Sequence, residues 1–264
     1  MKKYLVIGNP IEHSLSPKIH NFWIKKNNIN AIYEKKKIEN DELEKLIMDV
    51  KKNNINGINV TVPFKKKIIP YLDNLSLEAQ KTKSVNTIYC KNDKIIGHNT
   101  DIEGFEFSVQ KTKFDLTGKT IFILGAGGVA ASIIFALYKM NVSKIILANR
   151  TKNKANYLKD MFNNLHLIEW GEIPEFDMII NATSLGLKKH DKFNLDFSKV
   201  GKEKFFYDLI YNPQETNFLN IGKNMGNKTQ NGKMMFVYQA QAAFKIWHGV
   251  SAEINEDVMK FLDQ

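Results

Sequence analysis

The sequence predicts an α/β protein of two domains, one of which contains a doubly wound parallel sheet. The run Thr120–Leu124 is continuously apolar, as in a strand that is buried on both faces of a sheet. A glycine-rich turn and a helical pattern over 129–140 follow it directly. Further strand patterns lie at Lys144–Ala148, Met178–Asn181 and 205–207. Strands that alternate with helices in this way are typical of a parallel sheet with helices on both faces.

The outer parts of the chain show a second α/β pattern. Residues 58–62 alternate strictly, which places Asn59 and Thr61 on one strand face and the aliphatic side chains on the other. Pro63 ends this strand. The other predicted elements are a strand at 4–7, a helix at 17–27, and a helix at 235–247 that is apolar on one side and packs on the first domain.

Composition indicates a folded protein that works inside the cell. With 264 residues and 43% hydrophobic content, the chain can bury the core of one large or two modest domains. Cys90 is the one cysteine, so no internal disulfide can form. The first apolar run, 5–7, is too short for a signal peptide, and no stretch approaches the roughly 18 apolar residues of a membrane span. We therefore expect a cytoplasmic protein with no membrane partner.

The formal net charge of +10 raises the question of a nucleic-acid partner. The lysines are spread along the chain and interleaved with asparagine, which indicates a solvated surface rather than a nucleic-acid groove. We expect no nucleic-acid partner. A positive field of this kind favours anionic small molecules.

The turn after the strand Thr120–Leu124 predicts a dinucleotide-binding site. Its sequence, Gly125-Ala126-Gly127-Gly128-Val129-Ala130, fits the pattern G-x-G-x-x-A between a strand and a helix. Glycines in this place let the backbone approach a pyrophosphate, and the helix N-terminus attracts its negative charge. The alternative is a structural turn built from small packing residues.

The end of the next strand indicates which dinucleotide binds. Proteins that bind NAD place an acidic residue there, on the ribose 2′-hydroxyl. This chain instead has Asn149-Arg150-Thr151, with Lys154 one turn further on, and Arg150 is its one arginine. A guanidinium grips a phosphate through two hydrogen bonds, so NADP(H) is favoured over NAD as the cofactor. An ordinary exposed surface arginine is the alternative. No metal is predicted.

Polar residues of the first domain suggest a site for an anionic, hydroxylated substrate. Ser14 and Ser16 precede a helix, where two hydroxyls and free backbone amides can hold a carboxylate. Ser16 as a simple N-cap is the alternative. Asn86 is suited to a polyol hydroxyl. Lys65 and Asp101 supply an ammonium and a carboxylate that can move a proton. Each of these polar residues taken alone also fits a turn or a satisfied surface group.

Together these motifs resemble one family, the shikimate dehydrogenases of the aromatic amino acid pathway. The similar stretches run almost from end to end: GNPIEHSLSPKIHN from Gly8, NVTVPFK from Asn59, VNT from Val85, GHNTD from Gly97, GAGGVA from Gly125, NRT from Asn149, DMIINATSLG from Asp177, DLIYNPQET from Asp208 and NGKMMFVYQA from Asn231.

The resemblance implies reversible, NADPH-dependent reduction of 3-dehydroshikimate to shikimate, with Lys65 and Asp101 as the catalytic pair and the two serines on the substrate carboxylate. The substrate-binding residues that it implies are Ser14, Ser16, Asn59, Thr61, Lys65, Asn86, Asp101, Tyr211 and Gln239. The cofactor-binding residues that it implies are Gly125, Ala126, Gly127, Gly128, Val129, Ala130, Asn149, Arg150, Thr151, Lys154, Thr183, Ser184, Leu209 and Gly232.

The resemblance also implies a domain organisation. Residues 1–101 and 233–264 are expected to form the substrate-binding domain, and residues 102–232 the Rossmann-like NADP-binding domain. Family members are monomers or homodimers, and the sequence does not choose between these two states. The chain departs from many relatives at Lys83-Ser84, where they have Gly-Ala, and its third cofactor glycine is Ala130.

Three alternatives to this function remain. An NAD-using quinate/shikimate dehydrogenase is disfavoured by Arg150, which favours the phosphorylated cofactor. It is also disfavoured by Ser16, because quinate-preferring relatives tend to carry threonine at the position of Ser16. A catalytically silent NADPH-binding regulator is disfavoured by the intact Lys65 and Asp101. A lysine-rich nucleic-acid-binding module would bind DNA or RNA in a salt-sensitive way.

Overall fold

A computed structural model describes residues 1–188, 191 and 193–264. Within them the chain forms two compact units, which comprise Met1–Gly104 with Val237–Gln264, and Phe105–Phe236. The elements, in chain order, are β1 (Lys2–Gly8), α1 (Ser16–Lys26), β2 (Ala31–Lys37), α2 (Leu43–Lys51), β3 (Gly57–Val60), β4 (Asn74–Leu75), α3 (Leu77–Thr82), β5 (Thr87–Lys91), β6 (Lys94–His98), α4 (Asp101–Lys111), β7 (Thr120–Leu124), α5 (Ala130–Lys139), β8 (Lys144–Ala148), α6 (Lys152–Met161), β9 (Leu165–Ile168), β10 (Met178–Asn181), β11 (Phe205–Asp208), α7 (Asn217–Asn224), β12 (Lys228–Gln230), α8 (Lys233–His248) and α9 (Glu256–Asp263).

The first unit contains a mixed six-stranded sheet in the order β2-β1-β3-β5-β6-β4. β1 pairs in parallel with both β2 and β3. β5 runs antiparallel to β3 and to β6. Buried aliphatic side chains of β1 and β3 pack with those of α2, such as Leu46 and Val50, on one face of this sheet. The sheet thereby brings the ends of β3, β5 and β6 together, where the polar motifs of this unit lie.

The second unit contains a six-stranded sheet in the order β12-β11-β10-β7-β8-β9, and all its pairs are parallel. The strand order reverses between β7 and β10. Ligands of doubly wound sheets bind at the carboxyl ends of the strands beside such a reversal. The predicted doubly wound parallel sheet is confirmed.

Aromatic packing supports this sheet on one face. Phe122 on β7 and Phe206 on β11 are buried in a cluster with Phe176, Phe193 and Phe218. Rings of this size bury large apolar areas, and tilted or edge contacts such as Phe206–Phe218, with ring centres 5.3 Å apart, add to that packing.

Some element bounds differ from prediction. The strand expected at 58–62 ends at Val60, because the Phe64 amide donates to the Thr61 carbonyl and closes a turn there. Helix α1 begins at Ser16 with Leu15 as its N-cap, so the alternative of Ser16 as N-cap is wrong. In the described residues between β10 and β11, no helix interrupts the connection.

Two further findings concern the whole chain. Within the residues that the structure describes, no helix has both the length and the apolarity that a membrane crossing requires. The segment Val237–Gln264 belongs to the first unit, and the Trp247 indole nitrogen donates to the Ile88 carbonyl of β5 at 3.0 Å. The expected packing of the last long helix on the first domain is thus observed.

Candidate active site

Lys65 and Asp101 form an ion pair in the first unit. The Lys65 Nζ lies 2.6 Å from Asp101 Oδ2, and the two side chains are only 14% and 9% exposed. Asp101 is the first residue of α4, and Lys65 follows β3 by five residues. The Val85 amide donates to the Lys65 carbonyl at 2.9 Å, which ties the lysine backbone to the segment before Asn86. A paired ammonium of this kind can stabilise negative charge and release a proton.

Asn86 connects Asp101 to the polar interior of the unit. Its Oδ1 accepts from the Thr100 amide at 2.8 Å, and its Nδ2 donates to Asp101 Oδ1 at 2.8 Å. A backbone N–H can only donate, so the Thr100 amide fixes which end of the Asn86 side chain faces Asp101. The Thr87 hydroxyl also donates to Asn86 Oδ1, at 3.0 Å. Asp101 is therefore held by an ammonium on one oxygen and by an amide on the other.

Asn59 is buried and almost fully hydrogen-bonded. Its Nδ2 donates to the Asn86 carbonyl and to the Thr87 hydroxyl, both at 3.0 Å, and its Oδ1 accepts from the Tyr33 hydroxyl at 2.6 Å. Burial raises the pKa of Tyr33 well above its usual value, so this hydroxyl stays protonated and remains a donor. An amide oxygen accepts two hydrogen bonds, which leaves one lone pair of Asn59 for a ligand.

The serine pair lies at the start of α1. The Ser16 amide donates to the Ser14 hydroxyl oxygen at 3.3 Å, and the Ser16 side chain hydrogen-bonds Tyr33. Ser16 is therefore connected through Tyr33 to Asn59. Thr61 lies beyond β3 and is half-buried. The structure thus brings Ser16, Asn59, Asn86, Asp101 and Lys65 into one hydrogen-bonded series.

The glycine turn follows β7 in the second unit. Gly125 has φ 103°, and a Cβ there would lie 2.7 Å from Thr183 Cγ2 and 2.9 Å from the Ala182 carbonyl carbon. Gly127 and Gly128 are exposed, while Ala126 and Val129 are half-buried. The N-cap of α5 is Val129, which makes no side-chain capping bond, and Ala130 is the first helical residue. Uncapped amides beside an exposed glycine backbone fit a pyrophosphate.

The Asn149 side chain connects this turn to the end of β8 through hydrogen bonds. Its Oδ1 accepts from the Ala126 amide at 2.9 Å, and its Nδ2 donates to the Thr151 carbonyl at 2.8 Å. Arg150, Thr151 and Lys154 are exposed beyond the strand. Both cations follow the strand adjacent to β7, which is where the ribose of a dinucleotide bound at the glycine turn would lie.

The remaining predicted residues lie in three places. Thr183 and Ser184 follow β10, and the Thr183 hydroxyl donates to Asn181 Oδ1 at 2.7 Å. Leu209 follows β11, and its carbonyl oxygen occupies the space that a Cβ at Gly232 would need. The Tyr211 ring stacks on Phe236, with centres 5.0 Å apart. Gln239 is half-buried on α8 in the first unit.

Three buried residues of this network were not predicted. Thr87 and Thr100 contact each other through their hydroxyls at 3.2 Å and surround Asn86. Each is the threonine of a quoted motif, VNT or GHNTD, so the motifs contained the signal. Tyr33 lies on β2, and nothing in the local pattern there indicates that its hydroxyl reaches Asn59.

Comparison with known proteins gives the same family across the chain. The family model described as shikimate dehydrogenase substrate binding domain matches residues 6–88, and the one described as shikimate / quinate 5-dehydrogenase matches residues 108–210. A relative from Pelagibacter ubique (strain HTCC1062), named shikimate dehydrogenase (NADP(+)), is 57% identical over 262 residues, which cover 99% of each chain.

Solved structures agree over the full length. Shikimate dehydrogenase from Aquifex aeolicus is 37% identical with a TM-score of 0.92, and the match covers 100% of this chain and 98% of that one. Shikimate 5-dehydrogenase from Thermus thermophilus, in complex with NADP(H) and shikimate, is 29% identical with a TM-score of 0.90 and coverage of 100% and 98%. The chain therefore belongs to the shikimate dehydrogenase family, as its motifs predicted.

Proposed function

We propose that this chain catalyses the reversible, NADPH-dependent reduction of 3-dehydroshikimate to shikimate. The observation that carries the proposal is the Lys65–Asp101 ion pair, 2.6 Å long and set in a buried polar network. The name of the Pelagibacter relative and the ligands of the Thermus structure support the same substrate and cofactor.

The chemistry requires a hydride and a proton. NADPH, when bound, supplies the hydride to the C3 ketone. The Lys65 ammonium stabilises the negative charge on the ketone oxygen and donates a proton to it, and the resulting amine regains a proton from water. Asp101 keeps Nζ in place from 2.6 Å, and Asn86 keeps Asp101 in place from 2.8 Å. These two contacts fix the position of the ammonium, which is a condition for electrostatic preorganisation.

The substrate carboxylate is assigned to the serine pair. Because the Ser14 oxygen accepts from the Ser16 amide, the Ser14 hydroxyl proton is left to donate to a ligand. The substrate hydroxyls are assigned to Asn59, Thr61, Asn86, Tyr211 and Gln239. Asn59 acts there as an acceptor only, since both of its N–H bonds are used internally.

The cofactor is assigned to the carboxyl edge of the second sheet. The glycine turn and α5 hold the pyrophosphate, and Arg150 and Lys154 hold the 2′-phosphate. We assign residues 102–232 to the NADP-binding domain, and 1–101 with 233–264 to the substrate-binding domain. The division of the chain at 104/105 and 236/237 lies within four residues of these bounds and supports them. A cytoplasmic location and the oligomeric state, monomer or homodimer, stay predictions.

A steady-state assay of four substrate pairs tests the function. Shikimate and quinate are each oxidised with NADP and with NAD, and cofactor reduction is followed by absorbance. We expect the highest kcat/KM with shikimate and NADP, and a preference for NADP that falls in Arg150→Gln. Quinate oxidation with NAD as the best pair would replace the proposal by the quinate/shikimate alternative. The absence of turnover with every pair would indicate a binding protein.

A further inference from the structure

Asn181 and Asp208 are buried polar residues at the cofactor edge of the second sheet. They end the adjacent strands β10 and β11 and lie opposite each other in the parallel register. Both are 0% exposed. β10 pairs with β7, so this edge also carries the glycine turn. Neither residue belongs to the site assigned above.

The Asp208 carboxyl group accepts three hydrogen bonds, which connect the end of β10 with the turn 209–216. Its Oδ1 accepts from Asn181 Nδ2 at 2.9 Å and from the Ile210 amide at 3.0 Å. Its Oδ2 accepts from the Thr216 hydroxyl at 2.6 Å. These donors carry no formal charge. Burial raises the pKa of Asp208 to about 6, so the ionised form that these donors favour is costly to maintain.

Asn181 shapes the turn that follows β10. Its Oδ1 accepts from the Thr183 amide at 3.0 Å and from the Thr183 hydroxyl at 2.7 Å. Its Nδ2 donates to the Leu185 carbonyl at 3.0 Å as well as to Asp208. The amide orientation is unambiguous, because a carbonyl only accepts and a backbone N–H only donates.

The two turns joined by this pair also contact each other and the glycine turn. A Cβ on Gly186 would lie 3.3 Å from Thr216 Cβ, so turn 182–187 packs against the end of turn 209–216. On its other side, turn 182–187 meets Gly125 through Ala182 and Thr183. The three turns therefore form one contiguous edge over β7, β10 and β11.

We propose that Asn181 and Asp208 are positioning residues for the nicotinamide half of NADP(H). The inference rests on the proposed function, which puts the 2′-phosphate after β8 and the pyrophosphate after β7. An extended dinucleotide that continues along the same edge reaches the turns after β10 and β11, in the strand order β11-β10-β7-β8. The pair acts through these turns rather than by contact with the cofactor, so it controls where the ring lies and not how tightly the adenosine half binds.

The test compares Asp208→Asn with Asp177→Asn as a matched control. Asp177 precedes β10 at the opposite edge, where its Oδ2 accepts from the Thr120 amide at 2.9 Å. In Asp208→Asn we expect kcat to fall by about tenfold or more, because small displacements of a reacting group are costly. The Kd of 2′,5′-ADP, a probe of the adenosine half, stays within about twofold, and the emission of protein-bound NADPH falls toward that of free NADPH. Asp177→Asn changes none of these.

A second pair of variants separates positioning from folding. Thr216→Val removes the hydroxyl that donates to Asp208 and that also caps α7 by accepting from the Leu219 amide, whereas Thr216→Ser keeps both hydrogen bonds. Only the valine variant is therefore expected to lose kcat and NADPH emission. The Tm of Asp208→Asn at pH 8 should equal or exceed that of the wild type, since the amide removes the burial of a charge.

Two results would overturn the inference. One is wild-type kcat and NADPH emission in Asp208→Asn. The other is a parallel loss of Tm and 2′,5′-ADP affinity, which would show a structural role. If the wild type itself does not reduce 3-dehydroshikimate, the proposed function fails, and the emission and 2′,5′-ADP measurements still decide this inference.

Discussion

Lys83 holds a left-handed backbone conformation at the carboxyl end of α3. Its φ is 47°, which suits glycine better than lysine. The next residue, Ser84, is 1% exposed, and in the described part of the chain its hydroxyl has no hydrogen-bond partner. A Gly-Ala pair at these two positions would avoid both costs. The segment leads directly to Asn86, so both costs fall next to the polar network of Asn86, Asp101 and Lys65.

We predict that Lys83→Gly stabilises the protein by about 0.5–1 kcal/mol, because glycine adopts a positive φ without strain. Lys81→Gly, in the last turn of α3, is the control and should destabilise by about 1 kcal/mol. Urea unfolding of both variants measures the difference. A lower midpoint for Lys83→Gly than for the wild type would contradict the assignment of strain to this residue.

His20 is a buried histidine in an aromatic cluster. Its ring stacks on Tyr33 with centres 4.2 Å apart, and neither ring nitrogen has a hydrogen-bond partner among the residues that the structure describes. Burial, with a smaller contribution from His248, lowers the pKa of His20 to about 3. The unfolded chain binds this proton near pH 6.5, so the stability that neutral His20 provides is complete above pH 6.5 and is lost as the pH falls toward 3.

We therefore predict that His20→Phe flattens the acid limb of the stability curve. The substitution removes a loss of unfolding free energy on the order of 4 kcal/mol between pH 6.5 and 3, which follows from the linkage between a lowered pKa and folding. Thermal unfolding at several pH values measures it. His166→Phe, at an exposed position on β9, is the control and should leave the curve unchanged. An acid limb in His20→Phe as steep as that of the wild type would refute the role of His20.

At the scale of elements, the glycine turn has no room for a side chain at Gly125. Gly125→Ala puts a methyl group 2.7 Å from Thr183 Cγ2 at a φ of 103°. We predict that NADPH affinity falls at least tenfold, because the turns after β7 and β10 must separate. Gly171→Ala is the control, since it imposes the same kind of strain at φ 116° with no described atom within 4 Å of its Cβ. Calorimetric titration with NADPH compares the two. Equal NADPH affinities of the two variants would show that general backbone strain causes the effect, and not the contact with Thr183.

The four inner strands of the second sheet could be predicted from sequence because they are buried on both faces, whereas the partly exposed edge strands β9 and β12 were not predicted. Strands β7, β8, β10 and β11 are continuous apolar runs, and a one-sided pattern is not needed to find them. Strand β2 is different. Its last three residues, Lys35, Lys36 and Lys37, are exposed lysines, so it lies at the sheet edge without an apolar signature.

Site residues could be predicted where a sequence motif contained them. They could not be predicted where only tertiary packing brings them to the site. Lys65, Asn86 and Asp101 lie in motifs that the structure brings into contact. Tyr33 acts through a hydrogen bond to a residue 26 positions away, and no local pattern fixes such a partner. Asp208 and its partner Thr216 begin and end the motif DLIYNPQET, so that motif contained the signal for their contact. The family and fold predictions are confirmed, while the role of each site residue stays a prediction.

At the scale of the whole molecule, the net charge of +10 bears on its anionic ligands. NADPH and 3-dehydroshikimate are both negatively charged, so the positive field speeds their association, and salt screens that field. We predict that kcat/KM for both falls several-fold between low and 0.5 M ionic strength. The kcat measured in the same series changes little and is the internal control. A kcat/KM independent of salt would show that the surface lysines do not steer ligands.

The measurement that tests the central claim most directly is the kinetics of Lys65→Met. The account predicts that kcat falls by about 10²-fold or more, as for loss of a positioned acid, while the Kd of shikimate by titration changes only a few-fold. Lys66→Met, at an exposed neighbouring position, should behave as the wild type. Near wild-type kcat in a Lys65→Met protein that binds shikimate normally would contradict the claim that the Lys65–Asp101 pair carries out the proton transfer.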